Sequence, residues 1–384
     1  MATAKLGTWD NRYGQMNELL RSICEELQVS PTAYDQATDR YTAVCNWLEA
    51  EGSAVAVFNP TIYPQGSMKI GTTVKPFGRD EYDLDFVCEF RVPVNMFQSP
   101  LQLLKLLESR LREHEIYRSI LEMKNRCIRL NYANEFHLDI LPACPDLTVG
   151  GSCLFVPDRR SVSWKHSNPK GYAHWFESRC ELALKLLMES RKVMMDKAEP
   201  IPPQEAADQK AILKQVVQLL KRWRDVRYQR ETKLAPISMV LTTMAAQAYG
   251  GERTVTEALT SVLDNFVSLI ASSKPRVYVL NPANPKEDLS ERWDDAAQYR
   301  TFVDGIGELH ERWNKVLAAS GIQNVSNELE ALFGEPVTAA IKKQARALQE
   351  LREKSSLRVA QVGLLTSVPA IGVPVRPNTF HGKR

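Results

Sequence analysis

The segment Tyr82-Asp83-Leu84-Asp85-Phe86-Val87 restricts the fold of this chain more than any other. Read as an extended strand, it puts Asp83 and Asp85 on one face and Tyr82, Leu84 and Phe86 on the other. One face asks for a core. The other presents two like charges side by side, which is costly unless a cation lies between them. A hard divalent ion such as Mg²⁺ meets that need, taking oxygen ligands from one or two carboxylates and from substrate phosphates. A solvated edge strand carrying two surface acids is the plain alternative.

Phe136-His137-Leu138-Asp139-Ile140-Leu141 alternates in the same way, with His137 and Asp139 opposite Phe136, Leu138 and Ile140. A lone acid among apolar residues needs a partner. If this strand pairs beside 82–87, Asp139 completes a three-carboxylate site able to hold two metal ions. In such a site one ion activates an attacking hydroxyl and the other steadies a leaving pyrophosphate. His137 shares that face, but a site of hard oxygen ligands needs no imidazole.

Upstream, Gln65-Gly66-Ser67-Met68-Lys69-Ile70-Gly71-Thr72 follows a strand and is expected to open a helix. Glycine permits close backbone approach, and a helix start with a serine hydroxyl offers N–H and O–H donors to a phosphate. An ordinary Gly-Ser turn reads the same way in isolation.

Around this core the chain is expected to be α+β. Apolar spacing through Met16, Leu19, Leu20, Ile23 and Leu27 predicts a first helix, and Ser30-Pro31 opens a second that runs to about residue 50. Strands are expected near 54–58, 81–90, 124–132 and 135–141, with a helix over 100–116 burying Leu101, Leu103, Leu104, Leu107 and Leu111. Residues 142–170 read as an irregular connection between lobes. Helices are then expected over 174–195, 205–229, 237–249, 255–272, 292–318 and 336–355. The resulting division is 1–165, a catalytic lobe with N-terminal helices, then 166–358, a helical lobe, and 359–384, a flexible tail.

Composition excludes several classes. The net charge of +3 marks no polyanion binder of the whole-surface kind, so a nucleic-acid partner is not expected. Seven scattered cysteines, none in a CxxC pair, argue against a disulfide framework or a zinc site. No stretch approaches the roughly 20 apolar residues of a membrane span. A reduced, cytoplasmic protein is the expectation.

The order Gly66-Ser67, a Gly-Ser-x-x-x-Gly-Thr run, then Asp83-x-Asp85, then Asp139 on a later strand resembles the DNA polymerase β-like nucleotidyltransferases. Tyr63-Pro64-Gln65-Gly66-Ser67, Leu138 to Pro142, Lys221-Arg222-Trp223-Arg224-Asp225 with Pro236-Ile237-Ser238, and Asn281 to Pro285 before Arg292-Trp293 narrow the likeness. They resemble the CD-NTase branch, bacterial relatives of cyclic GMP-AMP synthase and oligoadenylate synthetases, over about residues 55–295.

The resemblance implies a two-lobed nucleotidyltransferase with a mixed sheet lobe and a helical lobe, and two Mg²⁺ ions (or Mn²⁺) on Asp83, Asp85 and Asp139. Gly66, Ser67, Lys221 and Ser238 would hold the donor triphosphate, with Gln65 able to touch a nucleotide. Some relatives stack an aromatic residue on the donor base where this chain has Met239. ATP and other nucleoside triphosphates would be condensed into a cyclic di- or trinucleotide, an antiphage signal read by an effector protein. The alternative is a template-independent enzyme making linear oligoadenylate or extending RNA ends. The family setting also implies a ubiquitin-like conjugation machinery acting on the tail that ends Gly382-Lys383-Arg384.

Overall fold

The structure, a computed structural model, describes residues 3–78, 82–132, 136–183, 202, 204–205 and 209–353, with the pairs 358–359, 365–366 and 373–374. Helices α1 (Thr3–Glu26) and α2 (Pro31–Glu49) lead into β1 (Thr61–Pro64), the one-turn helix α3 (Gly66–Lys69) and β2 (Tyr82–Glu89). Then come α4 (Pro100–Arg112), α5 (Glu115–Ile120), β3 (Leu121–Met123), β4 (Ile128–Tyr132), β5 (Phe136–Pro145), β6 (Leu154–Asp158) and β7 (Ser163–Ser167).

Strand order is β1-β2-β5-β4-β3, with β6 and β7 continuing from the far end of β5. β2 and β5 run parallel, pairing Asp83 with His137 and Asp85 with Asp139. β4 runs antiparallel to β5 and sets Arg129 opposite Asp139. The sheet is therefore mixed, and its register brings the two acid-bearing strands into direct contact.

The period-2 pattern of β2 explains why one face is dry. Leu84 and Phe86 are buried against Tyr41 of α2, whose ring stacks on Phe86 at 4.3 Å, while Asp83 is exposed and Asp85 is half-covered. Ser30 caps α2 through the amide of Ala33, with Pro31 in the first turn. Leu103, Leu104, Leu107 and Leu111 of α4 complete this core. Each such buried side chain contributes about 1.5–3 kcal/mol relative to exposure.

The helical lobe comprises α6 (Pro169–Cys180), α7 (Ile212–Arg227), α8 (Ser238–Ala248), α9 (Val255–Ser272), the hairpin β8 (Leu280–Asn281) with β9 (Asn284–Asp288), α10 (Ala296–Ala318), α11 (Ile322–Phe333) and α12 (Pro336–Glu353). Leu20 and Ile23 of α1 pack into this second core, whereas α2 packs on the sheet. The chain thus ties both lobes together from its first helix onward.

Several expected elements differ. Residues 54–58 form no strand. Ala56–Phe58 is a 3-10 turn with Val57 exposed, and Asn59 takes a left-handed φ of 47° before the strand begins at Thr61. Residues 142–170 are not an irregular connection, because β5 runs on to Pro145 and β6 and β7 form a hairpin. Pro142 and Pro145 of β5 and Pro157 of β6 disguise these strands in the sequence.

The helix expected over 205–229 starts only at Ile212, and α6 starts earlier than expected, at Pro169, capped by Asn168. Its expected continuation to 195 lies outside the described residues. Helix α11 was not anticipated.

Past residue 353, the strand pairs β10 (Arg358–Val359), β11 (Leu365–Thr366) and β12 (Val373–Pro374) join in a small antiparallel sheet. The rest of the tail, with Gly382-Lys383-Arg384, lies outside the described residues. None of the seven cysteines is in a disulfide. Among the described residues no helix is long and apolar enough to cross a membrane.

Candidate active site

Two carboxylates and a glycine make the centre of the site. β1 ends at Pro64, and the Gln65 amide donates to the Asp85 carbonyl at 2.8 Å, which lays the Gly66-Ser67 turn across β2. Gly66 adopts φ +58°, and a Cβ there would stand 2.5 Å from Asp85 Oδ2. Only glycine fits, for want of space as much as for conformation.

The Thr72 amide closes the turn onto the Ser67 carbonyl at 2.9 Å. From the other lobe, Lys221 Nζ donates to the carbonyl and hydroxyl oxygens of Thr72, both at 3.0 Å. The Gly-Ser-x-x-x-Gly-Thr run is thereby held at its first glycine by the sheet and at its threonine by α7.

These groups line a cavity of about 490 Å³ between the lobes, which takes in Gly66, Ser67, Asp83, Asp85, Lys221 and Ser238. Arg129, Arg224 and Asp225 also face it. Ser238 is the first residue of α8, whose N-cap is Ile237 with no side-chain cap bond, so capping does not account for this serine. Arg224 Nε donates to the Pro236 carbonyl at 2.7 Å and fixes the entry to that helix.

A second cavity of about 180 Å³ adjoins the first and shares Gly66, Ile70 and Met239 with it. Gln65 lines this smaller chamber rather than the larger one, together with Leu141, Ser167 and Glu287. Glu287 accepts from Asn281 Nδ2 at 2.6 Å and from Ser167 Oγ at 3.2 Å. Burial pushes its carboxyl above the ordinary range. The Asn281–Pro285 turn is built into this wall, since Asn168 Nδ2 donates to the Ala283 carbonyl at 2.9 Å.

Burial works against charge on the acids. Burial raises the Asp85 carboxyl to about 7, helped by repulsion from Asp139 and Asp83, while Lys221 and Arg129 oppose the shift. Asp83 moves upward too, through loss of solvent around it, against the pull of Arg129. Burial lowers the Lys221 ammonium to about 8. An ion or a phosphate of opposite sign placed beside any of these groups would favour its charged form.

Asp139 shares the face of Asp83 and Asp85 but does not line the cavity. Arg129 holds both its oxygens, Nε to Oδ1 and Nη2 to Oδ2, each at 2.7 Å, and Nη2 also reaches Asp83 Oδ1 at 3.0 Å. Among the described residues no three His, Cys, Asp or Glu side chains form a ready-made metal cage. The donor set still suits a hard divalent ion: neighbouring carboxylates, one of them in a cradle that any Cβ at residue 66 would fill.

Arg129 and Glu287 were not singled out from the sequence. Arg129 was legible in principle, as a cation between Ile128 and Leu130 on an alternating strand. Glu287 carries no local signal.

A c-di-GMP synthase from Roseivirga ehrenbergii is 31% identical to this chain over 381 residues, covering 97% of this chain and 98% of the relative. The chain belongs to the CD-NTase family of nucleotidyltransferases. The model of the Second Messenger Oligonucleotide or Dinucleotide Synthetase domain matches residues 15–179 of the enzyme. The cyclic dinucleotide synthase CdnG of Bradyrhizobium diazoefficiens is 29% identical over 344 residues, 84% of the enzyme and 81% of that protein. The solved structure of the Bradyrhizobium diazoefficiens CD-NTase CdnG in complex with GTP superposes with a TM-score of 0.69 at 25% identity, covering 86% of the enzyme and 99% of that chain. The two-lobed fold of these nucleotidyltransferases implies a divalent metal cofactor.

Proposed function

We propose that this nucleotidyltransferase condenses two molecules of GTP into cyclic di-GMP, releasing pyrophosphate at each transfer. The observation that carries this reading is the pair of joined cavities, one holding the acids and the Gly66-Ser67 turn, the other meeting it at Gly66, Ile70 and Met239. Two nucleotides must lie end to end in one cleft for a ring to close. The c-di-GMP synthase relative, aligned over almost the whole chain, supports guanine as the base.

In this reading Asp83, Asp85 and Asp139 would hold two Mg²⁺ ions, which would supply Lewis-acid chemistry to the transfer. Gly66 and Ser67 bind the donor triphosphate with their N–H and hydroxyl donors. Lys221 and Ser238 contact it from the helical lobe, so that closing the lobes and binding the nucleotide are one event. Desolvation inside the cleft strengthens each of these contacts. Gln65 and Glu287 border the chamber for the second nucleotide, and the Glu287 carboxylate suits the N–H donors on the Watson–Crick edge of guanine.

The product would serve as a signal in defence against phage, read by an effector protein. In the test, the enzyme is incubated with each labelled nucleoside triphosphate alone and in pairs, with Mg²⁺ or Mn²⁺, and the products are treated with phosphatase. GTP alone should yield a small phosphatase-resistant product that comigrates with cyclic di-GMP and is lost in Asp83→Asn/Asp85→Asn. A ladder of linear products, or a product requiring another nucleotide, would replace this reading.

A further inference from the structure

We propose that Arg129 is an internal counterion that competes with the divalent ion for Asp139 and Asp83, making ion binding conditional on nucleotide. The inference rests on the reading of these acids as ion ligands, and its observation is independent of product identity.

Arg129 stands on β4 directly opposite Asp139 of β5. Its planar fork meets both oxygens of Asp139, and Nη2 extends to Asp83 Oδ1. A single guanidinium therefore bridges two acids on neighbouring strands, as a bound ion would. It cannot give way by losing its charge, so it can give way only by moving.

Movement is open to it. The side chain is 19% exposed and lines the larger cavity, while Asp83 is 55% exposed. Strand pairing fixes the Arg129 backbone, but the guanidinium lies at the end of a long side chain. A divalent ion on Asp139 would face this cation at close range and repel it. The charge balance changes when a triphosphate enters, because its oxygens offer Arg129 a new partner in the same cavity. Ion and nucleotide would then bind together, and the ion alone would bind weakly.

The test measures Mn²⁺ dissociation constants by electron paramagnetic resonance on the full chain, without nucleotide. Arg129→Gln should bind Mn²⁺ alone at least about fivefold more tightly than the unaltered enzyme. Its melting temperature in EDTA should fall by several degrees and be restored by Mn²⁺. Arg129→Lys, which keeps the charge and loses the fork, should fall between the two and serves if the glutamine variant does not fold.

Unchanged or weaker Mn²⁺ binding in these variants would mean that Arg129 is a fixed brace compatible with the ion, and would overturn the inference. Asp83→Asn/Asp85→Asn should lose Mn²⁺ binding. Retention there overturns the ligand reading and this inference together, whereas failure of the unaltered enzyme to make cyclic di-GMP, alongside tightened Mn²⁺ binding in Arg129→Gln, overturns only the substrate.

Discussion

Lys221 Nζ lies 3.0 Å from both the carbonyl and the hydroxyl oxygen of Thr72, so a helix of one lobe grips the loop that carries the Gly66-Ser67 turn of the other. The contact is buried, and the ammonium is lowered to about 8, by burial against the attraction of Asp225. An anionic triphosphate placed beside it should pull the proton back. Nucleotide binding at pH 8 is expected to take up a fraction of a proton, read by calorimetry in buffers of different ionisation enthalpy, and Lys221→Met should abolish the uptake.

The same shift predicts a stability trend. With a folded-state value near 8 against an unfolded value of about 10.4, the unfolded chain binds more protons between those limits. The Lys221 contribution to stability should therefore rise as pH rises through that window, and Lys221→Met should flatten the slope in urea titrations at pH 8 and 10.

Asp85 titrates with the opposite sign. Its folded value of about 7 exceeds the unfolded value of about 3.9, so the folded enzyme binds more protons in between. Its contribution should fall as pH rises from 4 to 7. Asp85→Asn is expected to melt a few degrees higher than the unaltered enzyme at pH 8 in EDTA, with no gain at pH 4, and to lose product formation by at least about 10³-fold. Parallel melting at both pH values would count against the buried-charge account.

Gly66→Ala forces a Cβ to within 2.5 Å of Asp85 Oδ2 at a φ of +58°. The left-handed conformation alone costs about 1–2 kcal/mol, and moving Asp85 should cost at least about 10²-fold in turnover. Chemical denaturation and product assays on one preparation separate the two effects.

Ser238→Ala tests whether the hydroxyl serves the fold or the ligand. Because Ile237, not Ser238, is the N-cap of α8, stability should stay within about 0.5 kcal/mol. Nucleotide affinity should fall by at least about 10-fold, the scale of one hydrogen bond to a charged group, as measured by calorimetry with a non-hydrolysable GTP analogue.

Much of this site was legible in the chain, for a local reason. Alternation in 82–87 and 136–141 is a property of neighbouring residues, so it foretold which acids share a face and which apolar residues enter the core. The hairpin of β6 and β7 was hidden although its partners are near neighbours in sequence, because the prolines, glycines and serines of 142–170 read as breaks. Ala56–Phe58 failed in the other direction, since β-forming side chains without a neighbouring strand settled into a turn.

The sequence by itself put three aspartates on alternating strands with a Gly-Ser turn ahead of them, while Lys221 and Ser238 entered only through the resemblance to a family. Only the tertiary structure decided how these are engaged. Strand register placed Arg129 opposite Asp139, and lobe packing buried Lys221 against Thr72 and set Glu287 in the wall of a second chamber. Such pairings join residues separated by between 10 and 149 positions, and no local pattern encodes them.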